Sequence, residues 1–295
     1  MVEKMVESRR RHQRIVRAAA RLGPLGGGLL DWYSMALRRW ASEQDCETYF
    51  GAKMTCDPAD SVQRTIMLFQ VWEPGITRLI ERNLRPGAVF VDVGANVGYD
   101  SLLAATRVGS EGAVVAVEAF PAIFERLQRN LAHNPVLSGR VRPVNVAVSD
   151  RPGSIDLYGF GPRNIGATTT LASRHGKRVA TVPAQRLGDI LTDDEMARAR
   201  LIKMDVEGAE PAILGDILDN LDTYPDDMDL IVEANPEDDV EMMGRVFGRL
   251  SAAGFSAWIV ENEYSNRWYL RWRDSELRRL DAPPTKRCDL YLTRQ

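Results

Sequence analysis

The stretch VFVDVGANVGYDSLLAA, residues 89–105, sets the frame for the whole chain. AVFVDVG (88–94) is a short apolar run of the kind that makes a buried strand, interrupted only by Asp92. A glycine-rich turn at Gly94 follows, and VGYDSLLAATRVG (97–109) begins a helix. A strand that enters a helix through a glycine-rich turn is half of a β-α-β unit, with the turn at the carboxyl edge of a parallel sheet.

Outward from this stretch the alternation repeats. AVVAVEAF (113–120) reads as a strand and PAIFERLQRNLAHN (121–134) as its helix, with Pro121 suited to the first turn. VRPVNVAVSD (141–150), ARLIKMD (199–205), DLIVEAN (229–235), FSAWIV (255–260) and CDLYLTR (288–294) supply further strands. EPAILGDILDNL (210–221) and PEDDVEMMGRVFGRLSAAG (236–254) supply helices. The pattern predicts an α/β fold, a mostly parallel sheet covered by helices on both faces. Upstream of Pro86-Gly87, helices are expected over 1–22, 29–42 and 60–84. Residues 1–84 therefore read as an N-terminal helical extension and 85–295 as the α/β domain.

Composition narrows the function classes. A hydrophobic fraction of 44% with 27% charged residues is ordinary for a soluble globular chain. The net charge of -3 gives no general attraction for nucleic acid. No apolar run is long enough for stable membrane insertion, and no apolar h-region follows the Arg-rich start. That start has two further readings, a solvated basic face or a surface for a membrane or partner; a mitochondrial transit peptide is a third. Cys46, Cys56 and Cys288 lack metal-site spacing and fit a reducing compartment, so the expected location is cytoplasmic.

In sheets of this kind ligands sit outside the carboxyl ends of the strands. Glu118 ends the second strand, 24 positions after Gly94, where acids hold ribose hydroxyls. The dinucleotide pattern G-x-G-x-x-G fails, because Asn96 and Tyr99 stand where its later glycines would be. A pyrophosphate is poorly accommodated, which disfavours a nicotinamide oxidoreductase. A nucleoside without phosphates fits better. S-adenosylmethionine is one, and its ammonium and sulfonium charges suit Asp92 and Glu73.

VFVDVGANVGYDSLLAA, VVAVEAFP, NVAVSD and LIKMDVEGAE, in this order and spacing, resemble the FkbM family of S-adenosylmethionine-dependent methyltransferases, over about residues 70–235. The resemblance implies a class I methyltransferase fold of seven strands whose last hairpin reverses direction. It also implies O-methylation of a sugar or polyketide hydroxyl. Carried over by position, Asp92, Gly94 and Asn96 would line the methionine part of the cofactor and Ser101 would bond its carboxylate. Glu118 would take the ribose hydroxyls. Phe120 would pack near the adenine, bordered by Asn145, Val146 and Ala147. Glu73 resembles an acid that some of these enzymes place near the cofactor.

Methyl transfer to an alcohol needs either a general base or a divalent cation that lowers the hydroxyl pKa. Asp205, Glu233 and Asn235 end neighbouring strands and offer hard oxygen ligands suited to Mg²⁺, a set positionally similar to those of metal-dependent O-methyltransferases. The rival reading has Asp205 orienting the acceptor and Glu233 capping the next helix. The candidate catalytic residues are Asp205, Glu207 and His175, of which Glu207 and His175 are the bases open to choice. Glu207 equally suits a helix start, and His175 a solvated loop. Lys203 precedes Asp205 by two residues and shares its sheet face. Glu210 reads as a helix-start acid.

Segment 261–274 holds Tyr264, Trp268, Tyr269 and Trp272 among Asn262, Asn266, Arg267 and Arg271. It suits a sugar ring, as part of a small-molecule or oligosaccharide site, or equally a lid or a homodimer interface. The expectation is therefore an S-adenosylmethionine-dependent O-methyltransferase of a sugar or glycosylated natural product. Polyketide O-methylation and a non-catalytic module that keeps the fold are the alternatives.

Overall fold

A computed structural model describes residues 2–159, 177–206, 208–236 and 240–294. Helices α1 (Val2–Arg21) and α2 (Gly26–Trp40) open the chain as a hairpin. They cross so closely that a Cβ on Gly26 would overlap the Ala19 carbonyl, which explains glycine at that corner. Next come the antiparallel strands β1 (Gln44–Glu47) and β2 (Lys53–Cys56), then helices α3 (Ser61–Phe69) and α4 (Pro74–Asn83). Residues 1–84 thus hold a β-hairpin that helical periodicity does not announce. The helix expected over 60–84 is divided at Gln70 and Glu73, both with positive φ.

The α/β unit follows as β3 (Val89–Val93), α5 (Tyr99–Arg107), β4 (Ala113–Val117), α6 (Pro121–Ala132), α7 (Pro135–Ser138) and β5 (Val141–Val144). Three strands, β6 (Ala147–Val148), β7 (Gly153–Gly159) and β8 (Lys177–Gln185), form a separate small sheet. The single strand expected over 141–150 therefore breaks at Asn145-Val146, and its second half changes sheet. Short helices α8 (Leu187–Ile190) and α9 (Asp193–Ala197) lead to β9 (Ala199–Met204), α10 (Glu210–Asp219), β10 (Asp229–Ala234), α11 (Val240–Ala252) and β11 (Ser256–Val260). Helix α12 (Asn266–Arg271), β12 (Arg278–Leu280) and β13 (Cys288–Thr293) complete the chain.

The large sheet runs β12-β11-β13-β10-β9-β3-β4-β5. Strands β5, β4, β3, β9 and β10 are parallel, and β13 inserts antiparallel between β10 and β11. Without β12 this is the class I methyltransferase arrangement with its reversed last strand. The count is eight rather than the expected seven, because segment 278–280 adds an antiparallel edge strand to β11.

Strands β3 and β10 are buried along their whole length, since helices cover both faces. One apolar cluster fills the face beneath α10 and α11; the other lies beneath α4, α5 and α6. Ala52, Met54, Ile66, Ile76 and Ile80 belong to the second cluster together with Phe90 and Leu102. The first 84 residues therefore share the core of the sheet. Asn130 fastens this junction, accepting from Thr55 N at 2.8 Å and donating to Val97 O at 2.9 Å. Replacing it leaves two buried backbone groups unpaired. Asn130→Ala is expected to lower stability by about 2 kcal/mol or more, read from urea unfolding midpoints at constant m-value.

Candidate active site

The chain goes from β3 to β4 on one side and returns to β9 on the other, so a crevice opens at the carboxyl end of β3. Gly94 sits there with φ +84°, and a Cβ on it would overlap the Asp205 carbonyl oxygen. The backbones are stitched together: Gly94 N and Ala95 N both donate to Val117 O, at 2.9 and 3.0 Å, and Asp205 N donates to Val93 O at 3.0 Å. Only glycine lets the two strand ends approach this far. Asn96 takes positive φ as well, exposing its N–H to Glu118.

A cavity of about 260 Å³ occupies the crevice. Gly94, Asn96, Glu118, Phe120, Val146 and Ala147 line one part of it, as the sequence predicts. Glu118 accepts from Asn96 N at 2.9 Å and Phe120 N at 2.8 Å, one bond on each carboxylate oxygen. Both oxygens keep free lone pairs. Desolvation pushes the carboxyl up to about 7, against the pull of the two N–H groups. Asn145 is exposed and does not line the cavity; its amide donates to the carbonyls of Glu118 and Ala119 and so steadies that turn.

Asp92 and Ser101 stand behind the cavity wall rather than on it. Both are fully buried, and the Ser101 hydroxyl donates to Asp92 Oδ2 at 2.6 Å. They brace the start of α5 against β3.

The other part of the cavity is lined by Glu73, Asp100, Lys203, Asp205, Tyr264 and Glu233. Lys203 is buried, with Nζ 3.4 Å from Asp205 Oδ2 and 3.5 Å from Asp100 Oδ2. Burial opposes its charge, but Asp205, Asp100, Asp92 and Glu73 together hold the ammonium well above its ordinary pKa. The acids outnumber it. Burial lifts Asp100 to about 7 and Asp289, across the strand from Glu233, to about 6. Burial and Asp289 raise Glu73 well above the carboxylate range, with Lys203 opposing. Glu73 Oε1 accepts the Tyr264 hydroxyl at 2.9 Å, whereas Oε2 is buried without a partner.

Glu210, the first residue of α10, accepts from Val206 N at 3.0 Å and Gly208 N at 2.9 Å. It shapes the loop after β9 and is the helix-start acid that the sequence suggested. Glu207 and His175 lie outside the described residues.

The Asp205, Glu233 and Asn235 set does not fit a divalent ion. Glu233 Oε1 accepts from Arg287 Nε at 2.9 Å, so a guanidinium already holds that carboxylate. Asp205 faces an ammonium, and Asn235 does not line the cavity. Among the described residues, no group of three or more His, Cys, Asp or Glu is arranged to hold a metal. Arg287, on the approach to β13, carries no local sign of this pairing.

Of the aromatic segment, only Tyr264 lines the cavity, stacked on Trp72 with centroids 5.4 Å apart and planes 20° apart. Tyr269 is buried against Phe69 and donates nothing to the cavity; its hydroxyl accepts Glu73 N. Asn266 donates to Asp31 Oδ1 at 2.8 Å, and Arg267 packs on Gly27. Most of the segment thus ties α12 to α2. Trp72, Asp60, Ser61 and Val62 reach the cavity from the first 84 residues, where no motif marks them.

A profile of the Methyltransferase FkbM domain matches residues 92–257, and the chain belongs to that family. Methyltransferase sdnD of Sordaria araneosa is 31% identical over 162 residues, 45% of this chain and 61% of that protein. Protein-L-isoaspartate O-methyltransferase 1 of Arabidopsis thaliana is 30% identical over 93 residues, 30% of this chain and 40% of its own length. A solved FkbM methyltransferase from Methylobacillus flagellatus has 13% identity and a TM-score of 0.44, covering 79% of this chain and 52% of that one. An O-methyltransferase from Bacillus cereus solved with SAH has 14% identity and a TM-score of 0.44, covering 74% and 79%.

The buried acids set a pH dependence of stability. Asp100, Asp289 and Glu210 have raised pKa values when folded, so the folded protein holds more protons than the unfolded chain between about pH 4 and 7. Their contribution is present below the unfolded pKa and is lost as pH rises through the folded one. Ligand-free protein should unfold at lower urea concentration at pH 8 than at pH 5, and Asp289→Asn should flatten that slope.

Proposed function

We propose that this chain is an S-adenosylmethionine-dependent O-methyltransferase acting on a hydroxyl of a sugar, an oligosaccharide or a glycosylated natural product. The observation that carries the reading is the single cavity that joins Glu118 to Asp205 and Tyr264. A nucleoside held at the first lies beside an acceptor held at the other two.

The bound cofactor supplies an electrophilic methyl group on a sulfonium, for in-line displacement by an oxygen. The chain supplies the rest. Glu118 accepts the ribose hydroxyls on its free lone pairs, and Phe120, Val146 and Ala147 give an apolar wall for the base. Glu73, Asp100 and Asp205 outnumber Lys203, and a cationic ligand end beside them favours the ionised form of carboxyls that burial otherwise holds towards neutral. Lys203 fixes one oxygen of Asp205, leaving the other to orient the acceptor hydroxyl and take its proton. The stacked Trp72–Tyr264 plate, edged by carboxylates, suits the apolar face and hydroxyl rim of a sugar. Holding donor and acceptor in line supplies much of the rate. No step needs a metal, since Arg287 engages Glu233.

Protonated Glu118 cannot accept two hydroxyls in this way, so its raised pKa makes cofactor binding pH-sensitive. By calorimetry, S-adenosylhomocysteine affinity should fall about tenfold per pH unit below about pH 7, and Glu118→Gln should bind weakly without that slope. Failure to bind S-adenosylmethionine while binding NAD(P) tightly overturns the reading.

With labelled cofactor and a panel of mono- and oligosaccharides beside polyketide-type alcohols, label should enter a sugar hydroxyl. Asp205→Asn should lower kcat by roughly 10²-fold or more with little change in cofactor affinity. Activity should survive exhaustive chelation.

A further inference from the structure

Helix α2 has two apolar arcs, and only one is used by the fold. Leu30, Tyr33 and Leu37, with Gly26, are buried against the rest of the protein. Beside that arc, Trp32, Met35 and Trp40, with Leu25 just before the helix, are 63%, 64%, 78% and 77% exposed, and Leu29 is at the border of exposure. At 100° per residue, Leu25, Leu29, Trp32, Ala36 and Trp40 fall on one stripe, with Met35 and Arg39 at its flank. Two tryptophans facing solvent on one helix give a contiguous apolar patch, not scattered single residues.

Charge surrounds this patch. Arg38 and Arg39 on α2 are exposed, as are Arg14, Arg17 and Arg21 on α1, which crosses α2 at the Ala19–Gly26 contact. Residues 1–40 contain nine Lys and Arg against three acids, whereas the whole chain has a net charge of -3. Among residues 12–40, whose side chains are described, the excess is five arginines against one acid, Asp31.

We propose that the exposed face of α2, with its arginine flank, docks onto the surface of an anionic lipid bilayer. A helix of 15 residues, about 22 Å long, can lie in the interface with one face in the acyl boundary and arginines among the headgroups. Tryptophan is suited to that boundary, having an apolar body and a hydrogen-bonding edge. A second copy of the chain is the poorer occupant. A two-fold interface sets the same patch against itself and brings the arginine flanks together with only Asp31, already engaged by Asn266, to match them. No helix among the described residues can cross a membrane, so the attachment is peripheral.

The test is co-sedimentation of the full chain with extruded vesicles. One set contains phosphatidylcholine alone, and the other carries roughly one third phosphatidylglycerol. The protein should pellet with the anionic vesicles, at least about tenfold more strongly than with neutral ones, and raised salt should release it. The double variants Trp32→Ser/Trp40→Ser and Arg38→Ser/Arg39→Ser should each weaken the partition about tenfold, with circular dichroism unchanged. No binding, or equal binding to both vesicle types, overturns the proposal. So does a dimer by light scattering that the tryptophan variant dissolves, which assigns the face to a second copy.

Discussion

Lys203 is one ammonium buried among carboxyl groups that come from four separate parts of the chain. Asp92 is its neighbour across the β3–β9 pairing, Asp100 comes from the first turn of α5, Asp205 ends its own strand, and Glu73 arrives from before α4. Burying such a charge costs several kcal/mol unless partners compensate. Burying the acids without it would be worse. The cation and the acids therefore require one another, and their mutual need fixes how the two halves of the sheet and the first 84 residues meet.

That constraint explains why a polar crevice persists inside an apolar fold. With Lys203 satisfied by Asp205 and Asp100, further carboxyl groups remain buried nearby, Glu73 on the cavity wall and Asp289 behind it, and burial raises both above their usual range, towards the neutral form. The backbone contact between Gly94 and Asp205 brings the loop after β3 against the end of β9, and glycine at 94 makes that packing possible.

Much of this was legible in the residues. Short apolar runs alternating with amphipathic ones specify a parallel sheet, and the glycines after β3 and the acid after β4 specify its ligand edge. The Lys203–Asp205 pair followed from their two-residue spacing on one strand. The hairpin β1–β2 was missed because short strands with mixed burial carry no clean alternation. The extra edge strand β12, three residues long, is equally silent. Asn145 and Ser101 had the right spacing but face elsewhere, because spacing along a strand or helix does not say which side chain a neighbour has already engaged.

By itself, then, the sequence determined the order of elements, the turn that only glycine can make and the carboxylate at the end of β4 that faces the cavity, all of which depend on residues close together in the chain. Tertiary structure decided the partners. Tyr264 reaches Glu73 across 191 positions, and Arg287 takes Glu233 across 54, removing it from any metal site. Such pairings are set by how layers pack and by the cost of leaving a buried charge alone, and no local pattern encodes them.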